Sequence, residues 1–469
     1  MGLFLLDMSN GTKVPLLFNL ISRRDPEIIK FLLEEHSMFK KILSLVLVLA
    51  MVASIGAIFA SCGDPEGEKK GESEVLLAAP EVTKDFDIPA DFKIGMICLH
   101  DENSTYDNNF LKAFKQVKAA LGLTDGQVMI ATNIGETNAC YDKAKEFAEA
   151  GCKIIFANSF GHEPFMAQAA AEYPAVEFCH ATGTSASYAN AGLANFHNAF
   201  ASIYEGRYLA GIAAGLKLNE MIENGKIKAE EAVIGYVGAF TYAEVISGMT
   251  SFYLGAKSVC PSATMKVRYT GSWYDPAKEQ EAANALITTD KCVLVSQHAD
   301  SLGAPTACEI AGVPNVSYNG STYAAGETTF IISSAINWAP YFKYIIKSVC
   351  EGTAIAKDWC GGIAEGSVVL SGLNLDVAAE GTKEAIDAAI AQFKAGTLQV
   401  FDVSKDNYIL LNGQKITEYK ADVDGDYVGE TNVIHDGYFD ESGDGFRSAP
   451  YFDIIIDGVT NINVNFGEE

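Results

Sequence analysis

The chain has 469 residues, about half of them apolar, enough for a sizeable core over two to three domains. Lys and Arg number 34 against 60 Asp and Glu, a net charge of −26. Nucleic-acid binders cluster cations to neutralise phosphates, so an acidic chain without a basic stripe is not of that class. Of ten cysteines none forms a CxxC pair or has zinc-site spacing. Cys98, Cys152, Cys179 and Cys292 sit beside strand-like runs and read as small buried apolar residues.

In chain order, the first feature is "KKILSLVLVLAMVASIGAIFASC", Lys40 to Cys62. Met38 supplies a start, Lys40 and Lys41 a positive n-region, and Ala60-Ser61-Cys62 a small-residue end. This is the layout of a secretory signal, with Met38 as the true start and residues 1–37 as an extension ahead of it. The terminal cysteine resembles a bacterial lipobox, which makes Cys62 the lipidated first mature residue; Phe59 stands where leucine is usual. "GDPEGEKKGESE" follows, too polar to bury a core, so residues 62–90 read as a flexible tether.

From Phe92 short apolar runs alternate with helical periodicities. "FKIGMICL", "QVMIAT", "CKIIFANS" and "AVEFCHAT" have strand length, and "NNFLKAFKQVKAALG", "ACYDKAKEFAEAG" and "EPFMAQAAAEYP" have helical spacing. A second series runs from "YEGRYLAGIAAGLKLN" through "AVIGYVGAF", "TMKVRYTGSW" and "CVLVSQH" to "VPNVSYNG". Repeated βαβ units predict mostly parallel sheets, here in two α/β lobes. The lobes are drawn at 91–200 with 317–365, and at 201–316 with 366–469. The strands end in polar and aromatic clusters, where open α/β sheets bind ligands. In the tail, "YILLNGQKITEY" predicts a hairpin turning at Asn-Gly. Asp422, Asp424 and Asp426 alternate as in a calcium loop, but Val433 stands where its glutamate belongs, so an acidic surface turn is expected.

No phosphate loop, zinc helix or nucleophile elbow is present. The spaced glycines of "GIAAGLKLNE" lie inside a helix and predict a close helix contact. His162, His180, His197 and His298 fall near strand ends without metal-ligand spacing; no metal and no cofactor is expected. Aromatic residues gather at the same ends: Tyr106, Phe110, Phe160, Phe196, Phe240, Tyr242, Trp273, Tyr274 and Trp338. Flat rings converging on a cleft suit a planar ligand, oriented by Asp300, Asn319 and Ser159. Helical spacing makes Phe110 and Phe196 equally good core residues, and Asp300 equally a helix N-cap.

"IYEGRYLAGIAAG", "IGYVGAF", "EVISGMTSFYLGAKSVCP", "GSWYDPAKEQEAANALI", "SQHADSLGAPTACEIAGV" and "NWAPYF" together resemble the basic membrane protein family, the substrate-binding lipoproteins of ABC importers that include purine nucleoside receptors. The resemblance runs from about Phe92 into the turn-rich tail after "KDN". It implies a two-lobed periplasmic-binding fold of type I whose hinge, near Phe196–Tyr204 and Asn315–Gly320, closes on ligand, and a membrane permease as partner. No enzyme activity and a monomer are expected. Family sites stack the base between rings and set an acid on it. Carried over, "STYDNNF" offers Tyr106, Asp107, Asn109 and Phe110; "AFTYAE" offers Phe240; "SWYDP" offers Trp273; "QHADS" offers His298 and Asp300. Nucleoside receptors grip ribose with an aspartate and a lysine where this chain has Asn319 and Asn337 beside Trp338. A purine base is therefore expected as readily as a nucleoside. A sugar, or a sensory receptor on the same scaffold, are the alternatives; charged groups read as sparse at these strand ends, which disfavours a sugar.

Overall fold

The computed structural model describes residues 70–441 and 446–466. The signal, Met38, Cys62 and the first part of the tether lie outside the described residues.

Six parallel strands make the first sheet, in the order β12-β6-β5-β4-β2-β3. They are β2 (Ile94–Ile97), β3 (Val128–Ala131), β4 (Ile154–Ala157), β5 (Glu177–Ala181), β6 (Phe196–Ala201) and β12 (Asp358–Gly361). Helices α1 (Thr105–Leu121), α2 (Asn138–Glu149), α3 (Glu163–Glu172) and α8 (Ala339–Glu351) flank this sheet. Strand β4 reads "IIFA" and is buried throughout, as a strand covered on both faces should be. Ser104 caps α1 by accepting from the Asp107 amide, and Gly122 ends it in the left-handed conformation at φ 71°.

The second sheet has eight strands in the order β1-β13-β11-β10-β9-β7-β8-β20. They are β1 (Glu72–Leu77), β7 (Val233–Gly238), β8 (Thr264–Tyr269), β9 (Leu294–Gln297), β10 (Asn315–Tyr318), β11 (Phe330–Ile336), β13 (Val368–Asn374) and β20 (Val459–Asn461). Its helices are α4 (Ile203–Glu223), α5 (Ala243–Val259), α6 (Pro276–Thr288), α7 (Gly303–Ala311) and α9 (Thr382–Lys394). The glycines of α4 do make a close helix contact: a Cβ on Gly211 would lie 2.1 Å from the Phe252 carbonyl oxygen of α5. The Asn-Gly hairpin is present as well, with Asn412 at φ 54° and Gly413 at φ 74° between Leu410–Leu411 and Gln414–Lys415. All nine described cysteines are free, and Cys98, Cys152, Cys179 and Cys292 are buried.

Two boundaries differ from the sequence reading. Residues 317–336, expected in the first lobe, belong to the second sheet, because β10 pairs with β9 and β11 in parallel. The chain returns to the first lobe only with α8 and β12. Nor is all of 62–90 a tether: β1 pairs antiparallel with β13, whose free edge supplies the backbone partners that a polar stretch lacks by itself. Asp85 then pairs with Lys343 and Lys347 of α8, at 3.2 and 3.0 Å.

Crossings between the lobes therefore fall after β1, at Ala201–Ile203, at Ile336–Ala339 and at Gly361–Val368. The first hinge segment expected, 196–204, contains a crossing; 315–320 does not. The last three crossings are laced together. Ser202 N donates to Gly361 O (2.9 Å), Asn337 N to Ser367 O (2.8 Å), and Asn337 Nδ2 to Gly366 O (2.9 Å).

Candidate ligand-binding site

The carboxyl ends of both sheets face one another, and loops from each meet across the cleft. Thr105 donates to the Asp300 carbonyl through N (2.9 Å) and Oγ1 (3.0 Å). Asn109 Nδ2 donates to Asn319 Oδ1 at 3.1 Å. The His100 and Tyr274 rings lie 5.3 Å apart, and Phe160 and Tyr242 5.4 Å apart. These contacts make it a closed cleft.

Enclosed there is a recess lined by Leu99, His100, Tyr106, Asp107, Ser159, Phe160 and Thr182 of the first lobe and Glu244, Trp273, His298 and Asp300 of the second. Phe160 and Trp273 come from opposite lobes and both pack on Tyr242, which stacks on Phe240 at 5.2 Å. Phe240 is thus a supporting ring behind Trp273, 4.9 Å away.

The polar groups divide into spent and available ones. Asp107 accepts from His100 N (3.0 Å), Asn158 Nδ2 (2.8 Å) and Ser104. Burial pushes its pKa up, but these bonds outweigh burial and hold it below the ordinary value. Ser159 Oγ donates to Glu136 Oε1 at 2.6 Å. Asp300 is the opposite case. It is 5% exposed, and its carboxyl receives one bond, from Asn319 Nδ2 at 3.1 Å. Burial, then the charges of Glu279 and Asp107, raise its pKa well above the usual range. A ligand N–H or O–H donated to Asp300 would stabilise the ionised form where the protein leaves it poorly satisfied.

Behind the recess, Arg207 is fully buried under three rings, with its guanidinium carbon 4.6 Å from the Tyr318 centroid, 5.3 Å from Tyr236 and 5.5 Å from Phe252. Its Nη2 donates to Gln297 O at 3.1 Å. Among the described residues it has no carboxylate partner. Burial and the Arg207 charge outweigh Glu244, 3.6 Å from His298 Nε2, and lower the His298 pKa. His298 is therefore expected to titrate below the ordinary histidine value; an imidazole resonance titrating above that value would contradict this cage.

Three residues expected at the site are elsewhere. Phe110 and Trp338 stack on each other at 4.4 Å inside the first lobe, fully or nearly fully buried, and Phe196 is buried in β6. Asn109 and Asn319 bridge the lobes beside Asp300 rather than line the recess. Asn337, compared with a family lysine, has both its side-chain groups committed: Nδ2 to Gly366 O, and Oδ1 accepting from Ala339 N at 3.2 Å. Asp300 is not an N-cap; Leu302 occupies that position and Ser301 Oγ accepts from Gly303 N. His162 and His180 bond to the backbone carbonyls of Ile134 (2.8 Å) and Ser159 (2.6 Å), and His197 to Glu177 (2.8 Å), all structural roles.

Four lining residues were missed: Leu99, His100, Thr182 and Glu244. Their signal was position alone, each just beyond a strand or at a helix start. With Asp107 and Asp300, Glu244 makes the recess richer in acidic groups than the strand ends suggested. No Lys or Arg lines it.

A family profile described as ABC transporter substrate-binding protein PnrA-like, Bmp, matches residues 103–395. The chain belongs to the Bmp family. Among curated relatives, a purine-binding protein of Brucella abortus is 31% identical over 314 residues, 66% of this chain and 83% of that protein. A putative ABC transporter glucose-binding protein of Haloferax volcanii is 31% identical over 287 residues, 60% of this chain and 68% of that one. An ABC transporter solute-binding protein of Conexibacter woesei has the same fold, with a TM-score of 0.52 at 20% identity, covering 66% of this chain and 98% of that one. As a Bmp protein the chain is a substrate-binding component of an ABC transporter. Its Bmp match ends at residue 395, so the turn-rich tail expected to continue the resemblance lies outside it. Among the described residues no helix is long and apolar enough to cross a membrane.

Proposed function

We propose that this Bmp protein captures a purine base or nucleoside by closing its lobes, and hands it to a membrane permease from the extracytoplasmic face, anchored through Cys62. The supporting observation is the recess itself: Phe160 and Trp273 present rings from opposite lobes, and the buried Asp300 carboxyl waits beside them for a ring N–H or exocyclic amine. The lack of cations in the lining disfavours phosphorylated or carboxylic ligands, whose charge would have no partner. The Brucella relative is in keeping with this reading.

A sugar is the second reading. Glu244 and Asp300 are the kind of paired acceptors that sugar hydroxyls use, and the Haloferax relative points the same way. Calorimetry with adenine, guanine, hypoxanthine, their nucleosides and glucose separates the two. Binding of purines without glucose supports the first reading; glucose alone overturns it. On the first reading, Trp273→Ala weakens purine binding by about 1–3 kcal/mol, the scale of one base–aromatic stack, with the melting temperature nearly unchanged. An unaltered affinity would remove Trp273 from the site.

A further inference from the structure

Beyond the family match, which ends at residue 395, the C-terminal segment meets both lobes. The second lobe holds it along its length. Lys257 Nζ of α5 donates to Tyr408 O at 3.0 Å, and β20 pairs in parallel with β8. Asn463 Oδ1 accepts from Tyr269 N at 2.8 Å, Asn465 O from Thr241 N at 2.6 Å, and Phe466 O from Tyr242 Oη at 2.7 Å. The segment also has a core of its own, in which Phe452 stacks on Phe401 at 4.3 Å and meets Phe439 edge-on at 4.8 Å.

The first lobe meets the tip of the segment. Ser448 N and Oγ donate to Asp358 Oδ1 of β12 at 2.9 and 3.0 Å, and Ser187 Oγ donates to the other oxygen of the same carboxyl. Gly425 packs so closely on Thr184 that a Cβ there would lie 2.3 Å from its hydroxyl oxygen. The tip is built from within the segment: Asp422 accepts from Gly425 N (2.7 Å) and Tyr427 N (3.1 Å), and Arg447, next to Ser448, faces Asp422 at 3.8 Å. Two hydrogen bonds and one close contact on this side stand against a strand pairing and a series of bonds on the other. When the lobes part, the tip leaves Asp358 and the rest of the segment stays with the second lobe.

We propose that the C-terminal segment is a latch: it moves with the second lobe, and the docking of Ser448 on Asp358 holds the cleft closed ahead of ligand. Both places it grips adjoin the recess. Thr182, two residues before Thr184, lines it, and Tyr242 packs on Phe160 and Trp273. A binding protein that spends time open loses apparent affinity in proportion to the fraction that is closed and competent. The latch therefore raises affinity and slows release for whatever ligand the recess takes, so it does not depend on the purine reading.

The test is amide hydrogen exchange on the full chain without ligand, for wild type, Ser448→Ala, Asp358→Ala and the double variant. The Thr105 amide is the reporter, because it donates across the cleft to Asp300 O and is released when the lobes part. Ser448→Ala should speed its exchange roughly tenfold, the scale of one net hydrogen bond to a carboxylate, and Asp358→Ala at least as much. The double variant should exchange no faster than Asp358→Ala, and amides of β4 and the urea midpoint should stay near their wild-type values. A Thr105 rate unchanged in the single variants overturns the latch. So does a rise at Thr105 matched by β4 and by a fall in the urea midpoint, which would make the segment a general brace of the fold. Additive effects in the double variant overturn the assignment to this bond.

Discussion

Replacing Trp338 by alanine is expected to lower the free energy of unfolding by about 3–5 kcal/mol, the range for truncating a large buried aromatic. The side chain is 1% exposed. Its ring stacks on Phe110 at 4.4 Å and 21°, with Phe156 and Tyr341 at 6.0 and 6.4 Å and Phe200 edge-on at 6.5 Å. It sits at the N-terminus of α8, one residue past Asn337, where the chain passes from the second lobe back to the first. Removing it empties the interior of the first lobe beside a hinge strand, and surrounding aromatics collapse only partly into such a space. The milder Phe110→Leu should cost about 1–2 kcal/mol at the same cluster. Urea midpoints measure both. Unchanged stability with lost ligand binding would instead return Trp338 to the ligand site.

Stability should also fall from pH 5.5 to 8.5, and Glu279→Gln should remove much of the fall. Glu279 is 0% exposed, and burial raises its pKa to about 7 even though it accepts from Ser301 N (3.2 Å) and Asp275 N (3.1 Å). The folded value lies above the unfolded one. Its contribution is thus complete below the ordinary glutamate range and is lost as pH rises through 7. A shift of that size corresponds to about 3 kcal/mol at most between the two limits. Glu441, 3% exposed with its pKa raised to about 8 by burial, extends the loss to higher pH. Glu279 also touches the site: it holds the Ser301 amide next to Asp300 and adds to the charge that raises the Asp300 pKa. A denaturation midpoint independent of pH in wild type would contradict this account.

Much of the lobe architecture is written locally. Runs such as "IIFA" of β4 and the 3.6-residue spacing of Phe110, Phe114, Val117 and Leu121 on α1 read as buried strand and helix without any tertiary information. The helix contact at Gly211 and the Asn412–Gly413 turn are equally local, because each depends on what one residue's missing Cβ or left-handed backbone permits. So is the placement of Tyr106, Phe160, Trp273, His298 and Asp300 beyond strand ends, where the sheets open on the cleft.

What the chain pattern cannot carry is which buried surface a residue meets. Phe110 and Phe160 are both phenylalanines near strand ends, yet one faces Trp338 inside a lobe and the other faces the recess. The same holds for carboxylates: Asp107 is saturated by Asn158 and His100, while Asp300, with a single donor, is left for a ligand. Residue type and spacing alone determined the two-lobed α/β design and the ring-and-acid character of the cleft. The tertiary structure decided the sheet to which β1, β10 and β11 belong, and the commitment of each polar group. It also brought Thr182 and Glu244, far apart in the chain, to one recess, and the C-terminal segment onto both lobes. Pairing edges, hydrogen-bond partners and enclosed volumes are relations between distant segments, and no local window of sequence contains them.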